Sequence, residues 1–182
     1  MDIAGKPVFL HAHQACIYPK VRRGMRRRSR LRSTKNDSDS TDIAMYSRKG
    51  ISTFPFDELI EHKDRLKVID VSRNQIQTIP ASINNFVNIR ELDLSSNRLA
   101  VLPDELLQLG HLKTLTCKNN LLNSDSLPKD FGKCPALESL NLSGNLFLDF
   151  PVQLTEVSTL RILHIGGNRI REVPPEIEKL AR

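Results

Sequence analysis

Hydrophobic residues recur along most of this chain in a spacing that fits neither a helix nor a simple strand. The stretch LESLNLSGNLFLDFP, Leu137 to Pro151, sets apolar side chains at Leu137, Leu140, Leu142, Phe147 and Phe150, with Asn145 among them. An amphipathic helix would keep an i, i+3, i+4, i+7 rhythm, and a half-buried strand would alternate throughout. Here alternation holds only around Leu140 and Leu142, and then the chain turns at the asparagine. The same pattern restarts at Leu66, Ile89, Leu112 and Leu160, at spacings of 23, 23, 25 and 23 residues. A fixed period in this range marks a repeat architecture in which each unit buries its apolar face against its neighbours. Each unit therefore predicts a short strand, a bend at its asparagine and a return segment along the outside.

A degenerate first unit covers residues 43–65. Aligning Pro55 with Pro80 puts Lys49 where the asparagine belongs, and Ala44 and Tyr46 at the inward strand positions. Terminal repeats are expected to depart from the pattern because one side lacks a neighbour. FDELIEHKD, Phe56 to Asp64, predicts a short outer helix with Phe56, Leu59 and Ile60 on one face. The unit from Leu112 is over-long: Asn120 to Pro128 spans eight residues where Asn74 to Pro80 and Asn97 to Pro103 span six. Its LLNSDSL segment suits a turn-rich bulge. Asn74, Asn97, Asn120, Asn145 and Asn168 are expected to point inward and bond the backbone groups that each bend leaves unpaired, forming a structural ladder between units. Cys117 takes an inward strand position equivalent to Leu94, and Cys134 an outer apolar position equivalent to Val157, so both read as core thiols.

Composition changes the picture mainly at the amino-terminal end. Residues 1–42 hold ten Lys or Arg against four Asp, so the formal excess of +6 sits there and residues 43–182 carry 17 charges of each sign. KVRRGMRRRSRLRSTKNDSDSTD has too little apolar content to offset its ordering entropy, and residues 1–42 read as a disordered basic tail. Arg22 to Arg32 could neutralise phosphates, as in a nuclear-import or nucleic-acid patch. The same segment also fits a phosphorylation switch at Ser29 and Ser33, a transit peptide or a solvated extension. His11, His13 and Cys16 make half of a metal-site pattern without a second ligand pair at a usual spacing, so no metal site is assigned. No apolar run approaches the roughly 18 residues of a membrane span. Three scattered cysteines fit a reducing compartment, which points to the cytoplasm, with the nucleus as the second location.

No phosphate loop, nucleophile elbow or metal spacing stands out, so no catalytic residue and no cofactor is assigned. The repeats instead present outward strand residues as rows. One row is Asp70, Asp93, Thr116, Asn141, His164; another is Ser72, Ser95, Lys118, Ser143, Gly166. Flanking rows run Val68, Glu91, Thr114, Ser139, Ile162 and Arg73, Ser96, Asn119, Gly144, Gly167. The candidate contacts for a protein partner are Arg73, Glu91, Asp93, Lys118, Ile162 and His164. Asp70 and Asp93 are stacked like charges, for which a link to Arg73 or to a basic partner is the favoured use.

KNNLLNSDSLPK (Lys118–Lys129), LNLSGN (Leu140–Asn145), GGN (Gly166–Asn168) and VPPEIE (Val173–Glu178) resemble the 23-residue intracellular class of leucine-rich-repeat proteins, which includes Ras-pathway scaffolds. The resemblance covers about residues 45–182 and implies an α/β solenoid: a horseshoe with parallel concave strands and short helical or irregular convex segments. It also implies a non-catalytic interaction module, a scaffold or adaptor in signalling or substrate recruitment. Extracellular members usually carry paired cysteines in end caps, and no such cluster flanks these repeats. A further unit would begin at residue 183, so the chain reads as a piece of a longer protein. Its open last layer is expected to serve as a docking or self-association edge.

Overall fold

The computed structural model describes residues 42–180. The expectations for Arg22 to Arg32, for His11, His13 and Cys16, and for the tail up to residue 41 lie outside the described residues; Asp42, expected at the end of the disordered tail, instead opens the first strand and pairs with Arg65.

Each repeat begins with a core residue and an alternating pair, which supports only a short strand. Six parallel strands result: β1 (Asp42–Met45), β2 (Leu66–Asp70), β3 (Glu91–Asp93), β4 (Thr114–Thr116), β5 (Ser139–Asn141) and β6 (Ile162–His164). They form one sheet in chain order. Ile69, Leu92, Leu115, Leu140 and Leu163 lie side by side in register across it.

The turn after each strand is made by one residue in the left-handed region. Arg48, Arg73, Ser96 and Asn119 have φ of +58°, +56°, +54° and +55°, and Gly144 and Gly167 have +68° and +70°. The chain then returns through an outer segment of short 3₁₀ pieces: Ala81–Asn85, Asp104–Gln108, Phe131–Lys133, Val152–Glu156 and Pro175–Leu180. Three of these follow directly on Pro80, Pro103 and Pro151. Proline fixes the backbone angle that starts the turn and has no N–H to leave unpaired. The expected outer helix of the first unit is one α-turn, Phe56–Leu59, running on as 3₁₀ through Ile60–His62. Leu59 is fully buried there, and Phe56 stacks edge-on against Phe86 with ring centroids 5.7 Å apart.

The asparagines tie each unit to the one before it. Asn97 Nδ2 donates to Leu94 O in its own unit and to Val71 O in the previous one, both at 3.0 Å, while its Oδ1 accepts Ile76 N–H at 3.0 Å. Asn120 does the same with Cys117 O, Leu94 O and Leu99 N–H. Asn145 does so with Leu142 O, Cys117 O and Leu122 N–H. At the first described unit Lys49 stands in the asparagine's place, and its N–H and that of Ile51 are both accepted by Asn74 Oδ1. Tyr46 closes the same end by donating its hydroxyl to Glu58 Oε2 at 2.7 Å.

The extra residues of the long unit form a closed turn. Ser126 donates its hydroxyl to Ala100 O at 2.5 Å and its carbonyl accepts Leu102 N–H at 2.8 Å. The bulge is thereby docked on the preceding unit. Cys117 and Cys134 are buried and free of disulfides. Burial raises both thiols above their ordinary value, Cys134 to about 11.

Candidate functional site

The concave face is built from two residues of each strand. Glu91 and Asp93 flank the buried Leu92, and Ile162 and His164 flank Leu163. The register places Val68, Glu91, Thr114, Ser139 and Ile162 in one row and Asp70, Asp93, Thr116, Asn141 and His164 in the next.

The third and fourth rows expected on this face are not strand residues. Strands β2 and β4 end at Asp70 and Thr116, so Arg73 and Lys118 stand in the turn beyond them. Arg73 occupies the left-handed corner itself. Its backbone N–H still donates to Ser95 O at 2.8 Å, which holds it at the sheet's margin with its side chain exposed. Of the two glycines beside His164 only Gly167 sits at this corner, and Gly144 is its equivalent one unit earlier. A Cβ on Gly144 would come within 2.2 Å of Asn119 Oδ1.

The acidic row has a local duty that the sequence pattern did not suggest. Asp70 Oδ1 accepts Ser72 N–H and Asp93 Oδ1 accepts Ser95 N–H, both at 2.9 Å. Asn141 makes the same bond to Ser143 at 3.0 Å. Each side chain caps the end of its own strand, which explains why Asp or Asn recurs there. The signal was present in the D-x-S and N-x-S spacing of three units.

The six candidate contacts do not converge. Arg73, Glu91 and Asp93 stand on the early units, Lys118 on the middle one, and Ile162 and His164 on β6. Asp93 and His164 are three strands apart, about 14 Å at the usual strand spacing. Ile162 is 50% exposed. Among the described residues no group of three or more His, Cys, Asp or Glu stands together as a metal cluster. No helix there is long and apolar enough to cross a membrane. Such a face spreads its exposed groups over several units instead of gathering them at one point.

Sequence reasoning also passed over a row at the sheet's leading edge. The residue after the first core position of each unit is Lys67, Arg90, Lys113, Glu138 and Arg161 in turn. It could have been found by stacking the units and reading every column, not only those of the concave strands.

Family models described as leucine rich repeat match residues 87–147, and residues 65–86 and 159–180. The chain is 35% identical over 125 residues to leucine-rich repeat-containing protein 58 of Xenopus tropicalis, covering 68% of this chain and 36% of that protein. Against the Homo sapiens protein of the same name it is again 35% identical over 125 residues, covering 62% and 34%. It thus spans about a third of the length of these curated relatives. Among solved structures, an LRR protein of Leptospira interrogans superposes with a TM-score of 0.61 at 34% identity, covering 71% of this chain and 32% of that one. The ectodomain of the Arabidopsis receptor kinase HAESA, in complex with an extended IDA peptide hormone, gives 0.65 at 30% identity, covering 80% and 25%. Proteins of this kind generally act in protein–protein interaction, on a fold that is typically non-enzymatic. With a short parallel strand, a backward-bonding asparagine and an outer 3₁₀ return in successive units, the chain belongs to the leucine-rich-repeat family.

Proposed function

We propose that this chain is a non-catalytic scaffold or adaptor module of the cytoplasm that recruits a protein partner to its concave face. The observation that supports this best is the spread of exposed and half-buried, chemically mixed side chains over a preformed parallel sheet. Glu91, Asp93, Ile162 and His164 sit on strands, and Arg73 and Lys118 rim them. The span from Asp93 to His164, about 14 Å at ordinary strand spacing, suits a folded partner or a peptide better than a small molecule. The HAESA ectodomain, a structural neighbour in complex with a peptide hormone, lends support to a polypeptide ligand.

The test is recovery of a partner from cell extract by the full chain and by the variant Arg73→Ala, Glu91→Ala, Asp93→Ala. Loss of a specific protein by the variant, at unchanged melting temperature, supports the reading. Retention of that protein by the variant places binding elsewhere. Binding that vanishes steeply with salt and on deletion of residues 20–35 would favour the nucleic-acid reading of Arg22 to Arg32.

A further inference from the structure

The leading edge of the sheet carries a row of charges, of which Lys67 and Arg90 have no ion-pair partner among the described residues. Arg90 N–H donates to Lys67 O at 2.7 Å, Lys113 N–H to Arg90 O at 2.8 Å, Glu138 N–H to Lys113 O at 2.9 Å and Arg161 N–H to Glu138 O at 2.8 Å. These bonds fix Lys67, Arg90, Lys113, Glu138 and Arg161 side by side, roughly 4.8 Å apart. Like charges held opposite one another on neighbouring strands are destabilising. At its third and fourth places the fold relieves this: Lys113 Nζ pairs with Glu138 Oε1 at 2.8 Å. Arg65, just before the row, pairs with Asp42 at 2.6 Å. Lys67 and Arg90 have no such relief: among the described residues neither makes a side-chain ion pair. Together with Arg65 and His111 they wall a hollow of 420 Å³, and Asp64 is the nearby acid not engaged in an ion pair.

We infer that this basic ledge binds an acidic segment of a protein partner, with carboxylates set over Lys67 and Arg90. The spacing favours a helical segment. Acidic residues three or four apart on a helix stand about 5–6 Å from one another, close to the step between neighbouring units. A nucleic-acid strand fits less well. Exposed Glu91 directly follows Arg90, and Asp70 and Asp93 lie in the next row, so a phosphate backbone, charged at every nucleotide, would meet carboxylates where a protein segment can set neutral or basic residues. The ledge row also carries no aromatic ring on which a base could stack. The inference rests on the protein-binding reading and deepens it: the partner would meet a basic edge and then an acidic strip, which fixes its orientation across the strands.

The experiment uses the full 182-residue chain and two helical peptides, one with Glu at four-residue intervals and one with Gln in their place. Titration by fluorescence anisotropy is paired with mass-spectrometric measurement of acetylation rates at Lys67 and Lys133. Lys133 lies on an outer 3₁₀ segment, away from the ledge. The Glu peptide is expected to slow acetylation of Lys67 and spare Lys133, and the Gln peptide to do neither. In K67Q/R90Q the Glu peptide should bind about 3- to 10-fold more weakly, the size of two exposed ion pairs. The swap K67R/R90K should retain binding, which separates charge from folding. Equal protection of Lys67 and Lys133, or unchanged affinity in K67Q/R90Q, overturns the proposal and assigns the binding to another basic segment. A single-stranded oligonucleotide that protects Lys67 as well as the Glu peptide overturns it in favour of nucleic acid. None of these readouts depends on the concave face, so the two readings fail independently.

Discussion

The unit that starts at Leu137 and the unit that starts at Leu160 carry nearly the same pattern, yet only the first is a full core layer. Leu140, Phe147 and Leu154 are completely buried, whereas Leu163, Ile170 and Ile177, their counterparts one unit on, are only half-buried; Ile165, the counterpart of Leu142, stays buried but at 9% exposure rather than none. Asn145 is 4% exposed, and Asn168 is half-exposed despite bonds to Leu142 O and Ile165 O. Strand β5 has partners on both sides, and β6 has one among the described residues. In a solenoid, burial is conferred by the neighbouring unit, so identical side chains contribute different amounts along the stack.

The largest effect that tests this comparison is in the core. Leu140→Ala should lower the unfolding free energy by about 2–5 kcal/mol. Leu163→Ala should cost about half as much or less, because less apolar area leaves water in the first place. Urea unfolding of the two variants checks this, and equal losses would break the comparison.

The asparagines should rank the same way. Asn145→Ala orphans Leu122 N–H and leaves the carbonyls of Cys117 and Leu142 with one amide donor each, from Asn120 and Asn168, at about 1–3 kcal/mol. Asn168→Ala should cost less, since water reaches its partners. The corner glycines are the exception. Gly144→Ala and Gly167→Ala both place a Cβ in the left-handed region, at about 1–2 kcal/mol. The two should cost about the same: the Cβ of Gly144→Ala would meet Asn119 Oδ1 at 2.2 Å, but that exposed side chain can swing aside, while the Cβ of Gly167→Ala meets the Gly144 backbone N at 3.3 Å.

Two smaller effects concern titration. With Cys134 raised to about 11 by burial and Cys117 raised further, iodoacetamide at pH 8 should label both far more slowly than an exposed thiol, Cys117 slowest. Their folded values lie above the unfolded one, so whatever stability they supply is complete below the unfolded value and is lost as pH rises past it. Labelling at the rate of a free thiol would show that the layers open. On the surface, the hydrogen bond from Lys113 and its charge hold the Glu138 carboxyl below the usual glutamate value. The contribution of that pair is present above the unfolded value and fades as pH falls through the folded one. In melting curves, Glu138→Gln should therefore narrow the gap to the parent chain on the acid side and leave no further loss at the lowest pH.

Much of this fold is legible in the sequence because a repeat states its rules several times. The spacing of Leu140, Leu142 and Asn145, repeated in the other units, is enough to place strand, bend and core. Candidate contacts were harder to read. Arg73 and Lys118 look like strand residues by spacing alone, and only the left-handed φ at Arg73 and the ends of β2 and β4 move them to the turn. Asp70 and Asp93 look like a charged patch until their bonds to Ser72 and Ser95 show them capping strands. Lys67 and Arg90 carry no local signal, because neither breaks nor completes any pattern within its own unit.

The sequence by itself determined the period, the inward side chains and the asparagines that join them. Those depend on contacts repeated identically from unit to unit. The tertiary structure alone decided which of the outward charges are relieved and which are not. A salt link such as Lys113–Glu138 joins residues 25 apart that are neighbours only once the strands stack, and Lys67 and Arg90 are left over by the same stacking. Which apolar groups face inward follows from pattern, whereas pairing of charges follows from register between units, and register exists only in three dimensions.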